Sequence, residues 1–258
     1  MRRVLTALIL IPLVVYVVFF ANVWLFAGVV AAVACLCFYE YRNLATAYGF
    51  GAPHWLGYIA GLLLLFVSRP PWPWILIVAA CLTALALAMN ARNLAHALPR
   101  ASLLALGLVY VFGCWKCAVL LHVRSPHWLM YALLVNWAGD MGAYYVGRSI
   151  GKRRLAERVS PGKTWEGTAG SLVFSVLVAG AYLMRFIPAI SVAQIIVLTL
   201  VTNAAGQLGD LSESAIKRGA GVKDSGSLLP GHGGMLDRVD STLFALPVVY
   251  AYLALPSP

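Results

Sequence analysis

Four of the nine carboxylates in this 258-residue chain lie where apolar segments give way to polar ones. They are Asp140, Asp210, Asp237 and Asp240. Anions that converge at one depth repel one another, so we expect a cation among them. Divalent metals take oxygen ligands, and magnesium usually binds one or two carboxylates together with substrate phosphates. These residue types predict metal-assisted phosphoryl or nucleotidyl transfer.

Polar residues recur at helical spacing in two apolar segments. Asn136, Asp140 and Tyr144 are four residues apart, which places them on one helix face. The second segment carries a longer stripe, formed by Asn203, Gln207, Asp210, Ser214 and Lys217. Because the amides of this stripe fall at membrane depth, we expect it to line a polar cavity, and we expect its helix to end at the glycines of 219–221.

Two long polar segments follow these helices, at about 147–167 and 209–240. The second ends in KDSGSLLPGHGGMLDRVD, in which glycines precede a predicted helix. Glycine lets backbone N–H groups approach a phosphate, and a helix N-terminus favours anions. Gly233 and Gly234 are therefore predicted phosphate donors, and we assign His232 as a further donor of this loop.

The first polar segment contains SPGKTWEG, which resembles a P-loop only in composition. The spacing GxxxxGK[ST] is absent, so we reject a Walker motif. Lys163 still lies in a glycine-containing turn beside a hydroxyl, where it can hold a polyphosphate.

The elements that position these residues are apolar helices. The chain is 62% hydrophobic and 11% charged, whereas a soluble domain is about a quarter charged. We predict an all-α, polytopic integral membrane protein of one domain, 1–258, with N-terminal helices at about 1–122 and a catalytic half at about 128–258. The roughly nine predicted spans are 3–20, 22–39, 55–69, 74–90, 101–122, 128–146, 168–187, 190–208 and 241–256.

The basic residues predict the orientation. With the N-terminus in the cytoplasm, 15 of the 19 lysine and arginine residues lie inside and three outside, while Lys116 falls within a span. We expect Lys116 to reach the surface by snorkelling. Both long polar segments are then cytoplasmic, and the net charge of +10 faces the inner surface. That placement argues against a nucleic-acid partner. The short segment before the first predicted span is compatible with a bacterial plasma membrane.

The second polar segment resembles the signature of the phosphatidate cytidylyltransferases, or CDP-diacylglycerol synthases. From Ser214 to Asp240 the chain reads SAIKRGAGVKDSGSLLPGHGGMLDRVD. It fills every fixed position of S-x-x-K-R-x4-K-D followed by P-x-H-G-G-x-x-D-R-x-D. The segments DMGAYYVGR, from Asp140, and SPGKTWEG, from Ser160, are also similar to family segments, although family members often carry lysine where Gly162 stands.

The resemblance implies that CTP and phosphatidic acid react to give CDP-diacylglycerol and pyrophosphate. It implies a homodimeric, all-helical membrane enzyme that needs Mg²⁺, with K⁺ in a paired cation site. Asp210 and Asp237 would be metal ligands, with Asp240 close by, and the catalytic set would add Lys217. The predicted substrate-binding residues are Ser214, Arg218, Lys223, Asp224, His232, Gly233, Gly234, Arg238, Lys163, Asp140 and Tyr144.

Other functions remain open from the residues alone. A CTP-dependent polyprenol kinase or an archaeal CDP-archaeol synthase would share the cation chemistry and differ in the lipid. A cation transporter is a different class, and it requires polar residues along a path across the whole bilayer. Here the polar residues cluster in the predicted cytoplasmic halves, which favours the enzyme.

The topology is testable by cysteine labelling. We expect cysteines introduced into 147–167 and 209–240 to be shielded from a membrane-impermeant thiol reagent in intact cells, because both segments carry the lysine and arginine residues that are typical of cytoplasmic segments. A cysteine at Arg124, in a predicted outer loop, serves as the labelled control. Labelling of either long segment from outside would contradict the orientation.

Overall fold

A computed structural model describes residues 2–50, 54–89, 93–228 and 233–255. Most of them are helical, and the fold is all-α as predicted apart from one short β-hairpin. The α-helices are α1 (Arg2–Phe20), α2 (Val23–Ala47), α3 (His54–Phe66), α4 (Trp72–Ala88), α5 (Ala97–Gly107), α6 (Cys114–Arg124), α7 (Pro126–Ile150), α8 (Trp165–Ser175), α9 (Ala181–Phe186), α10 (Val192–Gly219) and α11 (Leu236–Ala254). A 3₁₀ turn, Leu94–His96, precedes α5, and π-helical segments join α5 to α6 (Leu108–Gly113) and α8 to α9 (Val176–Gly180).

Four helical stretches are long and apolar enough to cross a membrane: Val23–Ala47, Leu94–Arg124, Trp165–Phe186 and Val192–Gly219. Three shorter apolar helices are Leu10–Phe20, Trp55–Phe66 and Trp72–Ala88. These helices make the chain an integral membrane protein. The count of nine spans and the side on which the two long polar segments lie stay predictions.

The first long polar segment is not a simple loop. Helix α7 continues to Ile150, and an antiparallel hairpin of β1 (Arg154–Ala156) and β2 (Ser160–Thr164) follows. The Glu166 carboxylate accepts hydrogen bonds from the backbone N–H groups of Lys152 and Arg153. The hairpin therefore has a fixed connection to the start of α8, and the residues of β2 have defined positions.

The second long polar segment begins as helix. Helix α10 runs through the predicted stripe and ends at Gly219, and Gly221 has a φ of +73°, so the predicted glycine end of this helix is confirmed. Helix α11 begins at Leu236, so Asp237 lies in its first turn.

The chain divides into two compact units. Unit 1 comprises Met1–Leu8, Ala21–Val119 and Ile216–Arg238, and unit 2 comprises Ile9–Phe20, Leu120–Ala215 and Val239–Pro258. The prediction of a single integral membrane domain stays a prediction.

Close helix packing in both units depends on glycine. In unit 1, a Cβ at Gly61 would lie 2.2 Å from the Phe112 ring. In unit 2, a Cβ at Gly142 on α7 would lie 2.5 Å from the Gly170 carbonyl oxygen on α8. These side chains would overlap their neighbours, so glycine is what allows α7 and α8 to approach backbone to backbone.

Lys116 stabilises unit 1 from within instead of snorkelling. Its side chain on α6 is buried, and Nζ donates to the Leu65 carbonyl oxygen and to Ser68 Oγ, both at 2.6 Å. Leu65 is in the last turn of α3, where carbonyl groups lack partners within the helix and attract a cation. The expected reach of Lys116 to the surface is therefore wrong: the end of α3 binds the ammonium group.

We expect Lys116→Met to destabilise the protein by about 2 kcal/mol, because it removes charge-assisted hydrogen bonds and leaves a buried carbonyl group unsatisfied. The midpoint of unfolding in detergent measures this effect. Lys152→Met, at an exposed lysine that precedes the hairpin, is the matched control. Equal midpoints for the two variants would contradict a capping role for Lys116.

Candidate active site

The predicted polar faces of α7 and α10 line a cavity in unit 2. Its volume is about 420 Å³, within the range of about 300–1,000 Å³ that is usual for small-molecule sites. The predicted residues of these two faces that line it are Asn136, Asp140, Tyr144, Asn203, Gln207 and Asp210. The expectation that the stripe lines a cavity is thus confirmed for its members from Asn203 to Asp210.

A hydrogen-bond chain extends from the wall of this cavity into the surrounding helices. Gln207 Nε2 donates to Asn203 Oδ1 at 2.6 Å, and Asn203 Nδ2 donates to the hydroxyl groups of Ser171 and Ser175 at 2.9 and 2.7 Å. Ser175 Oγ then donates to the Val135 carbonyl oxygen. Each of these polar groups has a partner, which offsets the cost of burying it and fixes the wall of the cavity.

The end of the β-hairpin brings a lysine to the cavity. Thr164 is the N-cap of α8, because its Oγ1 accepts a hydrogen bond from the Gly167 N–H. Lys163 directly precedes this cap, and its Nζ lies 2.7 Å from Asp210 Oδ2. Ser214 Oγ donates to the other Asp210 oxygen at 3.3 Å. The structure therefore brings together three predicted residues, Lys163, Asp210 and Ser214.

The Lys163–Asp210 pair is open to ligands. The side chains of Lys163 and Asp210 are 25% and 32% exposed, so an anion or a cation can reach either group. Arg148 also lines the cavity and donates to the Tyr144 hydroxyl oxygen at 2.7 Å. Arg148 was not among the predicted site residues, although its position four residues after Tyr144 on one helix places it on the same face.

Unit 1 contains a second cluster of predicted residues, around Asp237. Lys217 Nζ lies 2.5 Å from Asp237 Oδ1. The other carboxylate oxygen, Oδ2, accepts hydrogen bonds from the backbone N–H groups of Ser225 at 2.9 Å and Gly234 at 2.8 Å. The carboxylate of Asp237 is therefore held on both oxygens.

This environment favours the ionised form of Asp237. Burial by itself raises the pKa of the carboxyl group, but the hydrogen bonds from Lys217 and from the N–H groups of Gly234 and Ser225 outweigh it. The net result is a pKa below the usual value. Asp237 thus carries its negative charge at neutral pH, and Lys217 balances it.

The glycines before α11 fit closely around the same carboxylate. Gly233 has a φ of +79°, a conformation that other residues rarely adopt, and a Cβ there would lie 2.7 Å from Asp237 Oδ2. The Gly234 N–H is directed at this carboxylate. The role of Gly233 and Gly234 as phosphate donors stays a prediction, and His232 lies outside the described residues.

The remaining predicted residues lie around these clusters. Arg218 donates from Nη1 to the Val222 carbonyl oxygen at 3.2 Å, after the end of α10. Lys223, Asp224 and Arg238 are exposed. Their predicted contacts with substrate stay predictions.

Asp240 is buried in unit 2, where its Oδ1 accepts hydrogen bonds from the backbone N–H and the hydroxyl group of Ser241. Ser241 lines the cavity, whereas Asp240 is not among its lining residues. Its place close to the metal ligands stays a prediction.

The open carboxylate of Asp210 fits a metal that takes most of its ligands from substrate and water. Within 2–50, 54–89, 93–228 and 233–255, no three His, Cys, Asp or Glu side chains form a metal-binding group. Asp210 is a carboxylate at an open cavity, and magnesium commonly needs only one or two such groups beside phosphates. The predicted sharing of cations by Asp210 and Asp237 joins residues of the two units, and it stays a prediction.

Two residues near Asp237 were not predicted as site residues from the sequence. Ser225 contacts Asp237 through its N–H, and the buried Glu40 on α2 accepts a hydrogen bond from Ser225 Oγ. A signal for Glu40 was present, because an acid inside an apolar segment is a functional candidate. Nothing in the sequence indicated that the partner of Glu40 lies 185 residues away.

Comparison with known proteins agrees with the sequence signature. The profile of the cytidylyltransferase family matches residues 1–255. A phosphatidate cytidylyltransferase of Bacillus subtilis is 42% identical over 155 residues, which are 59% of this chain and 58% of that protein.

Two further relatives of the same name match shorter stretches. The protein of Haemophilus influenzae is 46% identical over 123 residues, 46% of this chain and 43% of its own length. The protein of Staphylococcus aureus is 47% identical over 123 residues, 48% of this chain and 47% of its own length. The matched stretches thus span about half the length of these relatives.

Proposed function

Because the chain belongs to the cytidylyltransferase family, we propose that it transfers the cytidylyl group of CTP to phosphatidic acid, forming CDP-diacylglycerol and pyrophosphate. The observation that carries the proposal is the cavity in unit 2, where Lys163 and Asp210 meet among apolar helices. A site of this kind gives an anionic nucleotide a binding place within reach of a lipid. The matched relatives carry the name of this activity.

The reaction depends on the positioning of its two substrates and does not need a strong base. A phosphate oxygen of the lipid is already ionised at neutral pH, and it attacks the α-phosphorus of CTP. The bond from that phosphorus to the bridging oxygen of the β-phosphate breaks, and pyrophosphate leaves with the electron pair. The protein must hold two anions in line and reduce their repulsion.

Lys163 and Arg148 supply positive charge at the cavity. The Lys163 ammonium group binds Asp210 in this structure and can exchange that partner for a phosphate oxygen, because both side chains are partly open. Arg148 is held by Tyr144 at the same cavity. Charge-assisted hydrogen bonds to phosphate oxygens would orient the nucleotide and stabilise the charge that develops on the leaving group.

The cluster around Asp237 contributes a fixed ion pair. Lys217 is a lysine of the signature, and its contact with Asp237 restrains the ammonium group. A restrained cation loses less conformational entropy when it binds a phosphate. We assign Lys217, with Arg218, Lys223 and Arg238 close to it in the sequence, to shielding the substrate phosphates.

Asp210 and Asp237 are the proposed ligands of Mg²⁺, with Asp240 in support and K⁺ as a second cation. A bound divalent cation neutralises phosphate charge and polarises the phosphorus–oxygen bonds. The substrate lipid and the apolar helices favour a plasma membrane location with the site on the cytoplasmic face, where CTP is available. The homodimer implied by the resemblance is part of the same proposal.

The activity is testable with the purified protein in detergent. With CTP labelled at the α-phosphate, we expect label to enter the lipid phase and pyrophosphate to appear only when phosphatidic acid is added. ATP should not replace CTP, an expectation that rests on family membership. Accumulation of CDP would indicate a lipid kinase, and equal pyrophosphate release from ATP would contradict the assignment.

Substitution of the two proposed ligand acids separates a catalytic role from a structural one. We expect Asp210→Asn and Asp237→Asn each to lower turnover about 100-fold, a loss of about 3 kcal/mol of transition-state stabilisation, because each variant removes a charge and keeps the shape. The assay is normalised to monodisperse protein. Glu157→Gln, at an exposed acid of the hairpin, is the control that should keep normal turnover.

Excess magnesium should not restore the turnover of Asp237→Asn. It should partly restore the turnover of Asp240→Asn if Asp240 holds the metal ligands in place without binding the metal itself. A purely structural role predicts less folded protein with normal turnover in the folded fraction. Near-normal turnover of both Asp210→Asn and Asp237→Asn would show that these carboxylates do not hold the catalytic metal.

A further inference from the structure

Glu40 is a buried acid that the proposed chemistry does not use. It lies on α2, and only 1% of the residue is exposed. Its carboxylate accepts three hydrogen bonds, from Ser225 Oγ at 2.9 Å, the Met235 N–H at 2.9 Å and the Leu236 N–H at 2.8 Å. A buried carboxylate is costly unless donors replace water, and three donors meet that requirement here.

Two of these donors lie at the start of α11. Leu236 is the first residue of that helix, and Met235 precedes it. The N–H groups of a first helical turn have no partner within the helix, and the helix dipole favours a negative charge there. Glu40 therefore fixes the point at which α11 begins, one residue before Asp237.

Glycine makes this close approach possible. A Cβ at Gly226 would lie 2.5 Å from Glu40 Oε1, and a Cβ at Gly234 would lie 2.4 Å from Glu40 Oε2. Either side chain would displace the carboxylate. Two glycines of the signature segment thus have a role that involves no substrate: they allow the Glu40 side chain to reach the backbone of the loop.

Ser225 links Glu40 to Asp237. Its hydroxyl group donates to Glu40 and accepts a hydrogen bond from the Asp237 N–H at 3.3 Å, while its own N–H donates to Asp237 Oδ2. The second donor to Oδ2 is Gly234, which packs against Glu40. Both backbone donors that orient Asp237 therefore depend on the position that Glu40 gives to the loop.

We propose that Glu40 is a positioning residue for cytidylyl transfer, which holds Ser225 and Gly234 so that the Asp237 carboxylate keeps one orientation beside Lys217. The role rests on the proposed function, because it acts through Asp237. Catalytic groups must hold their productive geometry closely, and a displacement of about 1 Å can cost about 100-fold in rate.

The decisive variant is Glu40→Gln, which keeps the length of the side chain. Its amide can accept hydrogen bonds on one side only, so at least one of the three donors loses its partner. We expect kcat to fall roughly 10- to 100-fold, with KM changed less than about twofold. The variant loses the orientation of Asp237 but retains substrate binding. Glu40→Asp keeps the charge and should recover part of kcat.

Amide hydrogen exchange gives a readout without turnover. In Glu40→Gln, peptides covering 233–240 should exchange faster, because the Met235 and Leu236 N–H groups donate to different Glu40 oxygens and at least one of them loses its acceptor. Exchange in 126–150, the residues of α7, should not change. Glu157→Gln is the matched control, since it removes an exposed acid and should alter neither exchange nor kcat.

Ser225→Ala tests the hydrogen bond between Ser225 and Glu40, and it tests the positioning role if Glu40→Gln does not fold. It leaves both backbone donors of Glu40 in place and should reduce kcat by a similar factor. The double variant should lose less than the product of the two single losses, because both act on Asp237.

The outcomes separate the two proposals. Unchanged kcat in folded Glu40→Gln or Ser225→Ala, or a change confined to KM or to unfolding temperature, would overturn the positioning role. Faster exchange at 233–240 in Glu40→Gln, with no cytidylyl transfer by the unsubstituted protein, would refute the proposed function and leave the contact of Glu40 with the loop intact. Active unsubstituted protein with unchanged exchange would refute the role of Glu40 alone.

Discussion

A carboxylate among apolar helices is stable only where donors replace the water that it loses, and this constraint organises the polar parts of the protein. Asp210 binds Lys163, and Asp237 binds Lys217 and two backbone N–H groups. Glu40 takes the N–H groups at the start of α11. Each acid thus determines the position of a loop or helix end, since its donors must come to it.

The same constraint explains why glycine is concentrated before α11. Backbone N–H groups serve as donors to a side-chain carboxylate only when the chain can approach closely. At Gly226 and Gly234 a Cβ would overlap Glu40, and at Gly233 it would overlap Asp237 as well as require an unfavourable φ. The glycines therefore let the chain surround two acids, and the resulting geometry is set before any substrate binds.

The positive charge in each of the two clusters is balanced by a nearby carboxylate. Lys163 and Lys217 are each balanced by one aspartate, so neither site carries a large net charge in the absence of phosphate. In the proposed reaction, a polyphosphate would compete with the aspartate for the lysine, and a metal cation would compensate the aspartate that is released. This exchange would let the same residues hold both charges of a metal–nucleotide complex.

The membrane character, the helical fold, the polar faces of α7 and α10 and the family could all be predicted from the residues, because these follow from local composition, spacing and a contiguous signature. The glycine end of α10 could be predicted as well. The hairpin of β1 and β2, in which short strands with few apolar residues are stabilised by the contacts of Glu166 with the backbone, was not predicted. Nor was the pairing of Lys163 with Asp210, or of Glu40 with Ser225. These contacts depend on the folding of distant segments together, since a buried charge is satisfied by whichever donors the fold brings to it, and the distance of those donors along the chain carries no signal.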